Sequence, residues 1–149
     1  MIRVFGVGGS IYPNENIGDI VVSRLEELGK KKGIEYYPYT VDYHSLIKVI
    51  HEDDYIIVVD GTLYGMAPGF VTKVHLESIR DNIDGSMIGS LIDKILKHDK
   101  NLRGILIGIE TAEPLECEEL DWNLKSKINN ILCEVQGIIN REYIKIKST

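Results

Sequence analysis

The stretch Tyr55–Gly69, YIIVVDGTLYGMAPG, decides how the rest of the chain is read. It opens on five apolar, mostly β-branched residues that run straight into an acid and a glycine. A run this short and this apolar suits a strand buried on both faces, as in the middle of a parallel sheet. Working outward, Ile2–Val7 (IRVFGV) and Arg103–Glu110 (RGILIGIE) have the same character. Between them, Ile17, Val21, Leu25 and Leu28 recur at helical spacing, and GKKKG after Leu28 closes that helix. Glu35 to Val41 reads as a second strand, YHSLIKVIHE as a short helix and FVTKV as a further strand. MIGSLIDKILKH (Met87 to His98) and Trp122 to about Ile139 read as helices, and the final YIKIKST as a frayed or edge segment. Strands alternating with helices imply βαβ units. The expected fold is one α/β domain over residues 1–149, a three-layer α/β/α sandwich with a mainly parallel central sheet.

Composition narrows the function. The chain has 149 residues, 44% hydrophobic and 27% charged, enough for one well-formed core. A net charge of -6 and no basic run argue against nucleic acid or an anionic membrane surface as partner. Two cysteines, Cys117 and Cys133, without a CxxC pair suit a reducing cytosol. No signal peptide or membrane-spanning run is visible, so a cytoplasmic protein is expected.

In a parallel α/β sheet, ligands sit beyond the carboxyl ends of the strands, where strand order reverses. Glu15, Asp60 and Glu110 lie just past the expected strand ends. Each also has a plain structural reading: a solvated loop acid, the start of a turn, a surface acid. GVGGSIYPNENIGD, Gly6 to Asp19, begins like a phosphate-binding turn, yet it lacks the third glycine of G-x-G-x-x-G. Its helix also begins too late to hold a pyrophosphate. Walker, G-x-S-x-G and H-E-x-x-H motifs are absent, and His44, His51, His75 and His98 are scattered.

GGSIYPNENIG (Gly8 to Gly18), VVDGTLYGMAPG (Val58 to Gly69) and GIETAEP (from Gly108) follow one another in an order that resembles the hydrogenase maturation endopeptidase family. Gly8, Glu15 and Gly18 agree with the family's first motif, where Gly9 replaces Asn and Asn14 replaces Asp. The second and third motifs match its V-D-A…G-x-x-P-G and G-I-[QE]-P. The resemblance spans about Arg3 to Leu132 and supports a phosphorylase/hydrolase-like sandwich. It implies that Glu15 and Asp60 are metal ligands, which explains an acid in place of an open phosphate turn.

The family's third ligand is a His shortly before a helix. Aligning LIDKI (Leu91 to Ile95) puts Asp84 there; a shift of three residues puts Met87 there, and His75 ranks third. Asp84 equally suits a helix N-cap. The resemblance implies an endopeptidase that trims the C-terminal extension of a nickel-containing hydrogenase large subunit. The partner is that large-subunit precursor. The cofactor is a divalent metal, either nickel carried by the substrate or a hard divalent cation held by carboxylates. Tyr64 and Met66, in the loop after the second motif's acid, are expected to contact substrate. The departures at Gly9, Asn14 and the third ligand leave an alternative: an inactive relative that binds a metal or partner as a maturation checkpoint.

Overall fold

The computed structural model describes residues 1–79, 94–95 and 102–148. In chain order the elements are β1 (Ile2–Val7), a 3-10 turn (Pro13–Asn16), α1 (Ile17–Leu28), β2 (Ile34–Thr40) and α2 (Tyr43–Ile47). Then follow β3 (Tyr55–Thr62), β4 (Val71–His75), α3 (Leu76–Ile79), β5 (Arg103–Glu110) and α4 (Trp122–Lys147). The strands form one sheet in the order β2-β1-β3-β5-β4. β2, β1, β3 and β5 run parallel, whereas β4 pairs antiparallel with β5.

The three apolar runs do occupy the centre. Period-two alternation splits them between two cores. Ile57 and Val59 of β3, with Ile105, Ile107 and Ile109 of β5, face α1 and α4. Ile56, Val58 and Leu106 face the opposite way, against Leu46 of α2, Leu76 of α3 and Ile95. A strand packed on both faces cannot alternate apolar with polar, which is why these runs are continuous. Each fully buried Ile or Val contributes about 1.5–3 kcal/mol relative to exposure.

Two sequence expectations need correction. The terminal YIKIKST is not an edge or frayed segment: α4 continues to Lys147. Its apolar face runs through Leu124, Ile131, Val135, Ile138 and Ile139 and ends on Glu142, which is buried. Glu142 accepts hydrogen bonds from Lys73 Nζ on β4 and Tyr55 Oη on β3, both 2.9 Å, so the last turns are held by side chains from distant parts of the chain. Burial opposes ionisation of Glu142, but Lys73 and the Tyr55 hydroxyl outweigh it and lower its pKa. Burial, and then its carboxylate partner, push the Tyr55 phenol well above the usual value.

The second correction concerns β4. No helix separates it from β3; the chain passes directly from β3 through residues 63–70 to the far side of β5. So short a link cannot form a crossover, and β4 therefore runs antiparallel. The link arches over the C-terminal end of β5, where Gly69 N donates to Glu110 O (2.7 Å) and Glu110 N to Phe70 O (2.9 Å). Of the expected helix Met87–His98, only Lys94 and Ile95 fall among the described residues, and both are helical.

Candidate functional site

From β1 the chain leaves sideways to β2, then returns past β1 to β3. The direction of winding reverses between β1 and β3, and α1 and α2 accordingly lie on opposite faces of the sheet. The crevice above the carboxyl ends of these two strands is the topological switch point, the usual ligand position of such sheets. It is bordered by the loop carrying Glu15 and by the end of the strand carrying Asp60.

Asp60 does not lie past a strand end. It sits within β3, two residues before Thr62, because pairing with β5 continues through Thr62↔Glu110. It is completely buried, shares the face of Ile56 and Val58, and its Oδ1 accepts from Gly61 N at 2.7 Å. Gly18, in the first turn of α1, lies against the same point of β3. A Cβ added there would meet Val59 O at 2.2 Å and Asp60 Cα at 3.0 Å. Only glycine permits this approach, and it brings the start of α1 onto the carboxylate-bearing strand.

Glu15 is half-buried in the 3-10 turn, which packs against β3. Its Oε2 accepts from the Ser10 hydroxyl. Ser10 N donates to Asn16 Oδ1 (3.0 Å), Asn16 Nδ2 returns a bond to Ser10 O, and Tyr12 N donates to Ser10 Oγ (3.1 Å). Asn14 is buried. Its Nδ2 donates to Ala112 O (3.2 Å) and Pro114 O (3.1 Å), while its Oδ1 accepts from Asp121 N (2.9 Å). An amide is required because the side chain donates two bonds and accepts one. Residue 14 thus fixes the turn to the segment after β5.

Asp19, a further buried acid beside this crevice, was not singled out by the sequence. Burial raises its pKa despite the Tyr39 amide (2.7 Å) and Ser23 hydroxyl (3.3 Å) bonded to Oδ1. It supports Tyr39, whose φ is 61°, and it backs onto Gly8, where a Cβ would meet Asp19 Oδ2 at 2.9 Å.

Glu110 closes β5 rather than following it, and it is buried under the arch. Oε1 accepts from Thr62 Oγ1 and Tyr64 N, both 2.9 Å; Oε2 accepts from Gly65 N (3.0 Å) and Met66 N (3.1 Å). Both oxygens are occupied by loop donors, so Glu110 shapes the arch. Consecutive amides converging on an acid from a neighbouring strand leave no signal in the sequence.

Tyr64 and Met66 are exposed on that arch. Leu63, Gly65, Met66 and Pro68 form one wall of an open cleft of about 270 Å³, with 110–113, Asp121 and Asn123 opposite; Tyr64 is not among the residues that line it. Neither Glu15 nor Asp60 lines this cleft. It begins two residues beyond Asp60 along the sheet, ~7 Å at strand rise. His75 pairs with Ile105, which aligns with Ile57 of β3. It therefore lies two strands across and three residues below Asp60, ~14 Å away, and is exposed. Asp84 and Met87 lie outside the described residues. Among the described residues, no group of three His, Cys, Asp or Glu side chains is arranged to hold a metal ion. Glu15 sits in the turn packed against β3, and Asp60 sits within β3. As hard oxygen donors they suit a divalent cation, with at least one further donor needed.

No family model matches the chain, and no curated protein matches it in sequence. Solved structures do. The hydrogenase maturating endopeptidase HybD from E. coli superposes with a TM-score of 0.74 at 22% identity, over 95% of this chain and 93% of that one. The [NiFe] hydrogenase maturation protease HybD from Thermococcus kodakarensis gives 0.71 at 17%, over 92% and 97%. Hydrogenase 2 maturation peptidase from Thaumarchaeota archaeon SCGC_AB-539-E09 gives 0.64 at 18%, over 93% and 97%. From end to end, the chain has the fold of the hydrogenase maturation proteases.

Proposed function

We propose that this protein is an endopeptidase that removes the C-terminal extension of a nickel-containing hydrogenase large subunit, working in the cytoplasm on the large-subunit precursor. One observation carries the reading: the winding reverses between the strand that leads to Glu15 and the strand that carries Asp60, and Gly18 presses the first turn of α1 onto that second strand. The fold shared with proteins described as hydrogenase maturation proteases supports this reading of the crevice. Glu15 and Asp60 are the residues that would hold a divalent cation, with Asp84 the candidate third donor. The chemistry a cation would supply there is polarisation of a scissile carbonyl or acidification of a water. If the ion is nickel, it arrives as part of the substrate, and the two carboxylates read whether it has been loaded. Tyr64 and Met66 offer the tail apolar contact from the arch.

The test is incubation of the purified protein with nickel-loaded large-subunit precursors, followed by intact mass measurement. Release of the tail by the wild type and its loss in Asp60→Asn, with an unchanged circular dichroism spectrum, is the expected result. Cleavage that survives Asp60→Asn overturns the assignment. A non-catalytic checkpoint is the second reading, favoured by the departures from the family's motifs at Gly9, Asn14 and the third-ligand position. It predicts a stable complex with the precursor and an uncut tail.

A further inference from the structure

A second groove, of about 320 Å³, lies between α1 and the end of β2. Asp19, Ser23 and Glu27 line it from α1, and Tyr39 lines it from β2. Residues four apart share a helix face, so α1 offers a carboxyl, a hydroxyl and a second carboxyl in one row. Pro13 and Asn16, on either side of Glu15 in the 3-10 turn, line the same groove.

Asp19 is 4% exposed, yet only one of its oxygens is satisfied. Oδ1 accepts from Tyr39 N and Ser23 Oγ. Among the described residues nothing donates to Oδ2, which is backed by Gly8 and is not sealed from outside. A carboxylate set this deep needs donors for both oxygens. Tyr39 is held beside it in an unusual way. Phe5 pairs with Tyr37 and Val7 with Thr40, so β2 carries an extra residue against β1. This bulge gives Tyr39 N to Asp19 and leaves Tyr39 at φ 61°, a conformation that favours glycine. The ring is nonetheless 69% exposed, so packing does not explain it. Arg24, the base among these lining residues, is exposed and forms no ion pair among the described residues. It also lines the neighbouring groove beside Glu119. Acceptors and an aromatic face therefore dominate the site.

We propose that this groove holds a cationic side chain, a lysine or arginine of the substrate polypeptide, its head donating to Asp19 Oδ2 and Glu27 and its aliphatic stem lying against the Tyr39 ring. The inference rests on the reading above for whose side chain it is. It adds that the substrate is gripped by a basic residue next to the turn that carries Glu15. A neutral donor would leave the buried carboxylate without a counter-charge, so charge decides the choice of ligand.

The test reads binding and needs no cleavage. The full chain, labelled with ¹⁵N, is titrated by NMR with n-butylammonium, which carries the head and stem of a lysine, and with butanol and butyrate as controls. Saturable shifts of the Tyr39 and Ser23 amides are expected with butylammonium, at about ten-fold tighter binding than butanol, and none with butyrate. Asp19→Asn should abolish the preference for the ammonium. Glu27→Gln, at an exposed position, should weaken binding about 2–5-fold. Tyr39→Gly separates binding from structure: glycine suits φ 61°, so the Tm should hold or rise while affinity falls about 2–5-fold. Should Asp19→Asn fail to fold, the other two variants decide. Butylammonium binding no tighter than butanol, a preference that survives Asp19→Asn, or affinity unchanged in both Glu27→Gln and Tyr39→Gly overturns the inference. Ammonium binding without cleavage of any precursor leaves the site standing and removes the protease reading. Cleavage without ammonium binding does the reverse.

Discussion

Exchanging the buried amide of Asn14 for a carboxylate tests the account of how the Glu15 turn is held. Asn14→Asp keeps size and shape and changes only hydrogen-bonding capacity. The two bonds from Nδ2 to Ala112 O and Pro114 O are lost, at about 1 kcal/mol each. The new carboxylate then faces two carbonyl oxygens, with the Asp121 amide as its remaining side-chain donor. Residue 14 is 1% exposed, so water cannot relieve this, which adds ~1–3 kcal/mol. The total is about 3–5 kcal/mol at neutral pH, a fall in Tm of roughly 6–20 °C for a domain of this size. The loss should depend on pH in a defined direction. Burial raises the pKa of the introduced acid, so its penalty grows as pH rises and shrinks on acidification, when the protonated form can donate one bond again. Thermal melts of wild type and variant at pH 5 and pH 7.5 measure both parts. A Tm within about 1 °C of wild type at pH 7.5, or a loss independent of pH, would refute the reasoning.

Glu110→Ala should free the arch, costing about 2–4 kcal/mol for the charge-assisted bonds; hydrogen exchange should accelerate at the amides of residues 64–66 far more than in α4. Gly18→Ala should destabilise by ~3 kcal/mol or more, since the added methyl meets Val59 O, and a urea midpoint unchanged from wild type would contradict that contact. Acid stability provides a separate check. Burial opposes ionisation of Asp54, but the Arg3 guanidinium and the His51 amide outweigh it and lower its pKa, as Lys73 and Tyr55 do for Glu142. Each carboxylate then adds stability that is present above its unfolded pKa of about 4 and lost as pH falls through the lower folded value. The difference in Tm between pH 7 and pH 3 should therefore shrink in Asp54→Asn combined with Glu142→Gln.

The central strands were legible because a strand covered on both faces must be apolar throughout, and Tyr55–Val59 satisfies that without any other information. The direction of β4 was not, because it depends on the span from β3 across β5, a relation between strands and not a property of VTKVH. The end of α4 was missed for a related reason. Glu142 and its neighbouring lysines look solvated in sequence, and only Lys73 and Tyr55, from elsewhere in the chain, make the burial of Glu142 affordable. Glu15 and Asp60 could be marked in sequence as acids near the ends of apolar runs, although Asp60 proved to be inside its strand. Glu110 was visible as an acid but not as the anchor of an arch, since its partners are main-chain amides, which every residue type but proline carries. Asn14 looked like a departure from a motif; its environment demands an amide.

The arch is gripped by a residue that synthesis adds late. Thr62 and Glu110 are 48 positions apart, so a chain emerging from the ribosome displays residues 63–70 well before their anchor exists. Until β5 has been made and has slotted between β3 and β4, the arch has nothing beneath it and the cleft has one wall. The surface that would meet a partner is therefore a late product of vectorial synthesis: a nascent or prematurely terminated chain can carry Glu15 and Asp60 and still present no groove. Engagement is thereby deferred to chains whose sheet is complete.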